Sequence, residues 1–587
     1  MKEESKSEGR TSIEDKSDNY INIKDESKIR KNIYLTIKKC RLSAILLFLC
    51  SIILFLITLS LNGKIEVLSN LKFLLSGYFY QLINLFSVMI VTIIGRKKVF
   101  ISIKDIIKKK QEIRSLPLLA FIGSILQAIF IFFRKDDFLN GNVPIYSFIY
   151  SFSMLMIYSS EYLSISKIKK DFKFLTSRTD KVNIQIETSK KKLEELFKFN
   201  TNKKLSLVYE SSKYYKNNLD KILNNKSSDI KIFDKISYIN WIACILGFIW
   251  GILVDRSIYT AVQNLSFTSC ICIPLCNYFV RDMILKKASS SLLSKGCVVN
   301  GEKGINQFYK ANCILVKSSQ LYPPDKVSVK GIRTFGEQRI DAALLYAAAI
   351  ENSLDSTLNK VFEKALSYKV NRYPKTSSVH YENDLGVVGW ADGKRILIGN
   401  RELLKKYKVC PPSQVFEHKC CAKNQKAVYI SVKGELVAML VISYKSDKSI
   451  RRDIKGLVNH GIKLFVNTND VSITKDMVAK DFNVPMKSIE IVNNNENKED
   501  EKEVVNSNLV TNGSVKAMLH GVLGCIKSRY MIAISRTINS LAAVMGIILS
   551  TLLVINSSIM QLGIFEPIIF CFFWPLSLII VMYIYGI

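Results

Sequence analysis

Cys-x-x-Cys spacing is absent from this chain, although it contains 13 cysteines. That leaves no zinc ribbon and no dithiol redox motif to be read from spacing. Cys420 and Cys421 are adjacent and cannot span a tetrahedral metal site alone. They read as small apolar residues in a strand region. No internal repeat stands out, which excludes a solenoid. The first forty residues are polar and charged, so no cleavable signal peptide is expected. Met1 to about Ile29, rich in Ser, Glu, Asp and Lys, is expected to be disordered.

What the chain has is long apolar runs. Hydrophobic residues make up 48% of its 587 positions. A membrane-crossing helix needs about 20 mostly apolar residues. Eight runs qualify: Leu42–Leu61, Phe73–Ile94, Pro117–Phe133, Pro144–Ile165, Ile236–Val254, Ile258–Val280, Ile538–Ile555 and Ile564–Ile584. The fold class expected is a multi-pass α-helical membrane protein of about eight spans with α/β domains outside the bilayer. Lys and Arg crowd the N-terminal tail, the loop Arg96–Lys110 and the segment after the fourth run. The alternate loops, Asn62–Asn70 and Lys135–Val143, are poorer in them. The positive-inside rule then predicts a cell-membrane protein with both termini cytoplasmic. The formal charge of +33 follows these membrane edges. It therefore argues for anionic lipid as a partner and against nucleic acid.

A polar block from Arg281 to Tyr530 is large enough for two domains. Asp341–Leu366 has helical spacing. Asp392-Gly393 between apolar runs is a hairpin signal, and Lys433-Gly434-Glu435 joins a second pair of strands. Ile450–His460 is an amphipathic helix, followed by the strand of Gly461–Asn467. This order of strand, helix and strand predicts a parallel, doubly wound sheet with a domain inserted after its first strand.

Three stretches carry a resemblance. Gly296-Cys-Val-Val-Asn-Gly301, a helical segment, Cys313-Ile-Leu-Val316 and Lys317-Ser-Ser-Gln320 resemble G-I-L-I-K-G-G-E, helix, strand and D-K-T-G-T. Gly461–Asp470 resembles G-I-K-V-V-M-L-T-G-D. Leu385–Gly389 with Asp392–Arg401 resembles G-x-G-V, a D-G turn and V-G-N. These are motifs of P-type cation-transporting ATPases, heavy-metal branch. The resemblance implies a haloacid-dehalogenase-like phosphorylation domain with an inserted nucleotide-binding-like domain. It divides the chain into a tail (1–41), four spans (42–166), a reduced actuator-domain remnant (167–235), two spans (236–280), phosphorylation-like parts at 281–330 and 439–530 around a nucleotide-binding-like domain (331–438), and two last spans (531–587).

The same resemblance marks what is altered. Lys317 stands where those pumps phosphorylate an aspartate. An ammonium is no nucleophile and opposes Mg²⁺ binding. Ser319 keeps a hydroxyl at the threonine position, and Thr468 and Asp470 survive from T-G-D. Asp470 is expected to pair with Lys317. No G-D-G-x-N-D loop and no T-G-E are found, and Asn493–Glu503 reads as a solvated loop. Gly386, Gly399 and Asn400 are the residues left to touch a nucleotide, so ATP and Mg²⁺ are implied by resemblance without their full motifs. Cys272 and Cys276 flank Pro274 where the family has C-P-C, and are the candidate soft-metal ligands. The reading that follows is an inactive pseudo-pump, regulatory or accessory to cation transport, partnered by lipid and by an active pump or other membrane protein. The alternatives are a working ATP-driven cation transporter and an ATP-independent membrane metal-binding protein.

Overall fold

The computed structural model describes residues 23–61, 77–107, 116–133, 145–189, 193, 205–213, 231–271, 276–354, 356–366, 372–382, 385–421, 425–470, 472–492, 507–559, 562 and 565–584. The chain divides into two compact units. One is Met1–Ser177, Lys216–Ser291 and Lys527–Ile587; the other is Arg178–Tyr215 and Leu292–Ile526.

The first unit is helical. It contains α1 (Ile23–Leu61), α2 (Gly77–Ile107), α3 (Leu116–Ile131), α4 (Ser147–Leu175), α5 (Lys231–Leu253), α6 (Ile258–Ile271) and most of α7 (Cys276–Ser294). Its core packs Leu47, Leu54, Val88, Val91, Tyr150, Met154 and Phe267. Large apolar side chains also face outward, among them Phe48, Phe86, Ile93 and Leu246. An apolar exterior around an apolar core is what a lipid solvent selects. Polar side chains turn inward: Gln127 Nε2 donates to Gln263 Oε1 at 2.8 Å, and the Ser51 and Ser151 hydroxyls meet at 2.8 Å. Such bonds join helices where the hydrophobic effect cannot.

Three helices among the described residues are long and apolar enough to cross a membrane, within Glu26–Thr58, Val515–Ile555 and Phe565–Ile584. Leu118–Ile131 and Tyr238–Leu253 are shorter apolar helices. Several expected boundaries move. Residues 23–29, expected to be disordered, and the basic stretch that follows to Arg41 are helical and continuous with the first apolar run; Arg30 and Glu26 pair one turn apart at 3.0 Å. The second run extends as helix through the basic residues to Ile107. In the sixth run α6 is described to Ile271 and α7 from Cys276.

The second unit holds two sheets. The larger has the order β12-β11-β4-β2-β1-β13-β3. Its strands are β1 (Val182–Glu187), β2 (Leu207–Lys213), β3 (Cys297–Val299), β4 (Cys313–Lys317), β11 (Lys463–Asn467), β12 (Ile489–Val492) and β13 (Leu509–Thr511). Strands β12, β11, β4 and β2 run parallel, and β2, β1, β13 and β3 continue antiparallel. Cys313, Ile314, Val316, Leu464, Phe465 and Val466 are all buried, as parallel strands covered on both faces require. The expected strand, helix, strand order is present as β4, α14 (Lys448–Asn459), β11, α15 (Lys475–Phe482) and β12.

One expectation is corrected here. Residues 167–235 do not form a separate remnant over their described part. α4 runs to Leu175, and β1 and β2 enter the larger sheet between β4 and β13. Ile184 of β1 and Leu207 and Val208 of β2 bury within that sheet rather than between these two strands alone.

The smaller sheet is antiparallel, ordered β5-β10-β9-β8-β7-β6. It comprises β5 (Val327–Thr334), β6 (Thr376–Glu382), β7 (Gly386–Ala391), β8 (Lys394–Gly399), β9 (Gln425–Val432) and β10 (Glu435–Tyr444). The Asp392-Gly393 turn has φ of 47° and 71°, matching the two positive angles a type I′ hairpin needs. The domain extends beyond 331–438, because β5 pairs with β10 from Val327↔Tyr444 to Thr334↔Ala438. Helix α10 (Ile340–Ser353) lies against this sheet, and α11 (Thr357–Ala365) packs on α10. Short helices α8 (Gly301–Phe308), α9 (Ser318–Leu321) and α13 (Gln414–Cys420) also belong to this unit, and the chain closes with α16 (Val515–Ile555) and α17 (Phe565–Ile584).

Candidate functional site

In an open parallel sheet, ligands bind outside the carboxyl ends of the strands. Here that edge carries Lys317, Ser319, Thr468 and Asp470, four of the residues singled out from sequence. β4 ends at Lys317, in register with Asn467 at the end of β11. Lys317 is exposed and caps the start of the one-turn helix Ser318–Leu321, and Ser319, half-buried, lies within that helix. The Lys317 amide donates to Gln320 Oε1 at 3.2 Å, and Gln320 Nε2 donates to Glu210 Oε2 at 2.7 Å. Glu210 comes from β2. Burial pushes its carboxyl above the ordinary range, while the Gln320 bond and the Lys317 charge pull it back.

Asp470 and Lys317, expected as a pair, enter two separate arrangements. Asp470 is 1% exposed. Its Oδ2 accepts from the Tyr444 hydroxyl at 2.6 Å, and its Oδ1 accepts from the Ser472 amide at 2.9 Å. Its own amide donates to Thr468 Oγ1 at 3.0 Å. Thr468 and Asp470 are thus brought together, enclosed rather than presented. The physical reason is position: Lys317 projects at an exposed strand end, whereas Asp470 lies in a loop covered by the end of β10.

Glu351, on α10, is near enough to Asp470 for the two charges to interact, and was not foreseen. It is 1% exposed. Burial pushes its carboxyl up to about 8; a bond to Ser356 opposes this and the Asp470 charge adds to it. Tyr444 is raised as well, by burial first and then by the adjacent Asp470. Asn469 Nδ2 reaches Leu354 O at 3.2 Å, tying the same loop to the end of α10. The sequence signal was an acid directly after the apolar Ala347–Ile350 stretch, which places Glu351 on a covered helix face.

The three nucleotide candidates have another use. A Cβ on Gly386 would stand 2.3 Å from Ile398 O, and one on Gly399 would stand 2.3 Å from Leu385 O. The two glycines face each other and let β7 and β8 approach closely, with Leu403 filling the remaining space. Asn400 caps α12 (Arg401–Lys406), its Oδ1 accepting from the Leu403 amide at 3.0 Å. Close strand packing and a helix cap thus account for these three residues without a ligand. Cys272 and the side chain of Cys276 lie outside the described residues, as does Asn493–Glu503. Among the described residues no cluster of three or more His, Cys, Asp or Glu side chains suits a metal ion.

One unit is thus a helical body with apolar outer faces, and the other bears a mixed sheet with an antiparallel domain inserted after β4. The chain's curated relatives are heavy-metal P-type ATPases. A copper-transporting P-type ATPase of Rhizobium leguminosarum is 20% identical over 191 residues, 32% of this chain and 23% of that protein. A silver-exporting P-type ATPase of Salmonella typhimurium is 20% identical over 224 residues, 38% and 26%. A copper-exporting P-type ATPase of Legionella pneumophila is 25% identical over 227 residues, 38% and 30%. The matched part of the chain thus spans roughly a quarter of the relatives' own length. A solved zinc-transporting PIB-type ATPase aligns over 92% of this chain and 98% of its own, with 11% identity and a TM-score of 0.45. No family model matches the chain.

Proposed function

We propose that this chain is a pseudo-pump: a membrane protein of P-type ATPase descent that forms no phosphoenzyme and acts as a regulatory or accessory component of cation transport. The observation that carries this reading is Lys317 at the carboxyl end of β4. Phosphoryl transfer needs an oxygen nucleophile in line with the γ-phosphate and a bound Mg²⁺. A protonated lysine has no lone pair to offer and repels the metal. The surviving carboxylate, Asp470, already accepts two hydrogen bonds from the chain. In this reading both termini are cytoplasmic, as the basic loops favour. Contacts with partners run through the apolar helix faces, to lipid and to an active pump or another membrane protein.

The names of the relatives favour a second reading, a working ATP-driven exporter of soft cations, and Thr468 and Asp470 are the residues it would keep. One experiment separates the two. Purified full-length protein is incubated with γ-labelled ATP, Mg²⁺ and in turn Cu(I), Ag(I), Zn²⁺ or K⁺, then quenched in acid. The pseudo-pump retains no label with any ion. Acid-stable, hydroxylamine-sensitive label would establish an acyl phosphate and sink the proposal. A third reading, metal binding by Cys272 and Cys276, predicts ATP-independent Cu(I) uptake that is lost when both become Ser.

A further inference from the structure

The segment between α4 and α5 contributes two strands to the middle of a sheet. β2 lies beside β4 in parallel, with Leu207 opposite Cys313 and Val208 opposite Ile314. β1 links β2 to β13. β4 therefore has a parallel neighbour on each side, β11 and β2. Leu207, Val208 and Ile184 are fully buried. Side chains secure the insertion at both ends of the β2–β4 seam. The Ser206 amide donates to Asn312 Oδ1 at 2.7 Å, and the Cys313 amide to Ser206 O at 3.2 Å. At the carboxyl end, Glu210 holds Gln320, which holds the Lys317 amide. Burial of this completeness marks core strands rather than a docked loop, because a strand removed from such a place exposes both its apolar face and its neighbours' ladder groups.

We propose that β1 and β2 form a permanent strap across the larger sheet, and that Glu210 is a positioning residue that holds the Lys317 turn and supplies its counter-charge. Position 317 is then a site adapted to a cation. An aspartate restored there would replace the Lys317 charge that favours the Glu210 carboxylate with one of the same sign. The strap also fixes the chain leaving α4 to the sheet that bears Lys317, whatever ligand is present. This deepens the inactive reading of the same site, yet the two stand or fall on different measurements.

The test is hydrogen exchange by mass spectrometry on the full-length protein in nanodiscs, with and without ATP analogue and Mg²⁺. Amides of 182–187 and 207–213 are expected to exchange as slowly as those of 313–317 under both conditions. Exchange within seconds, or slow exchange only with nucleotide, would overturn the strap. The Glu210 role is read by charge exchange. Lys317→Asp should lower the thermal midpoint by about 2–4 °C, and Glu210→Lys in that background should recover it. A Lys317→Asp protein as stable as wild type would remove Glu210 from its role. Label on wild-type protein in the phosphoenzyme assay would end the inactive reading and leave the strap standing; fast exchange would do the reverse.

Discussion

Tyr444 directs its hydroxyl at Asp470 Oδ2 across 2.6 Å, joining the last residue of β10 to the loop that follows β11. The bond is inaccessible to water, since both residues are buried. Replacing Tyr444 by Phe would leave a buried carboxylate oxygen one donor short, at a cost of about 1–3 kcal/mol. Chemical denaturation of the detergent-solubilised protein measures it. Asp470→Asn should cost less, because its amide oxygen can keep the Ser472 bond while its Nδ2 donates to a reoriented Tyr444 hydroxyl. If Asp470 instead served ATP hydrolysis, Asp470→Asn would abolish turnover without a matching loss of stability.

Glu351 gives this junction a pH dependence. Its carboxyl sits at about 8 in the fold against an ordinary 4.5. Between those values the folded state binds the extra proton, so folding is favoured at the acid end. Stability from this group is complete below about 4.5 and declines as pH rises through about 8, with no further change above. The groups facing it are Asp470, Tyr444 and Ser356. Glu351→Gln, which keeps the shape and removes the charge, should flatten the decline in thermal midpoint between pH 6 and pH 9. An unchanged slope would show that another group governs it.

The parts of the fold that were legible in the sequence are those set by local pattern. Cys313–Val316 reads as a buried strand because four apolar residues precede Lys317, and Asp392-Gly393 reads as a turn because its two backbone angles suit few other residues. The carboxyl-end placement of Lys317 and Thr468–Asp470 followed from the same strands. What escaped is non-local. β1 and β2 are short, separated by 19 residues and paired with strands more than one hundred and three hundred residues away, at Cys313 and Leu509. Nothing in Val182–Glu187 names those partners. The link between Lys317 and Asp470 failed for a related reason: charge complementarity predicts a pair, but burial and loop direction decide which acid meets which base.

Gly386 and Gly399 give a further check on the nucleotide question. Gly386→Ala would bring a methyl group to 2.3 Å from Ile398 O and 2.7 Å from Leu403 Cδ2. It would also strain a backbone with φ of +149°. Overpacking of this kind costs about 1–3 kcal/mol. The expected result is a lower thermal midpoint for Gly386→Ala and for Gly399→Ala. Any nucleotide affinity that wild type shows should be retained in the folded fraction. Loss of binding at full stability would return these glycines to a ligand-binding role.

The neck of the inserted domain allows its cap and its ion pair to be weighed separately. Asp447 opens α14, its Oδ1 accepting from the Ser449 amide and hydroxyl, both at 2.8 Å, while its Oδ2 meets Lys326 Nζ at 3.1 Å. The Ser449 backbone bond comes first among the causes that hold its carboxyl down at about 2. Lys326 and Asp447 leave 35% and 37% of their side chains exposed, so solvent screens the pair and it contributes little. Asp447→Ala should therefore cost about 1 kcal/mol through the lost cap, whereas Lys326→Ala should fall within about 0.5 kcal/mol of wild type. The acid limb checks the sign. A depressed carboxylate stabilises the fold above its ordinary 3.8 and loses that contribution as pH falls through about 2. Asp447→Asn should thus lie nearest to wild type at the lowest pH the protein survives and diverge from it as pH rises past 4.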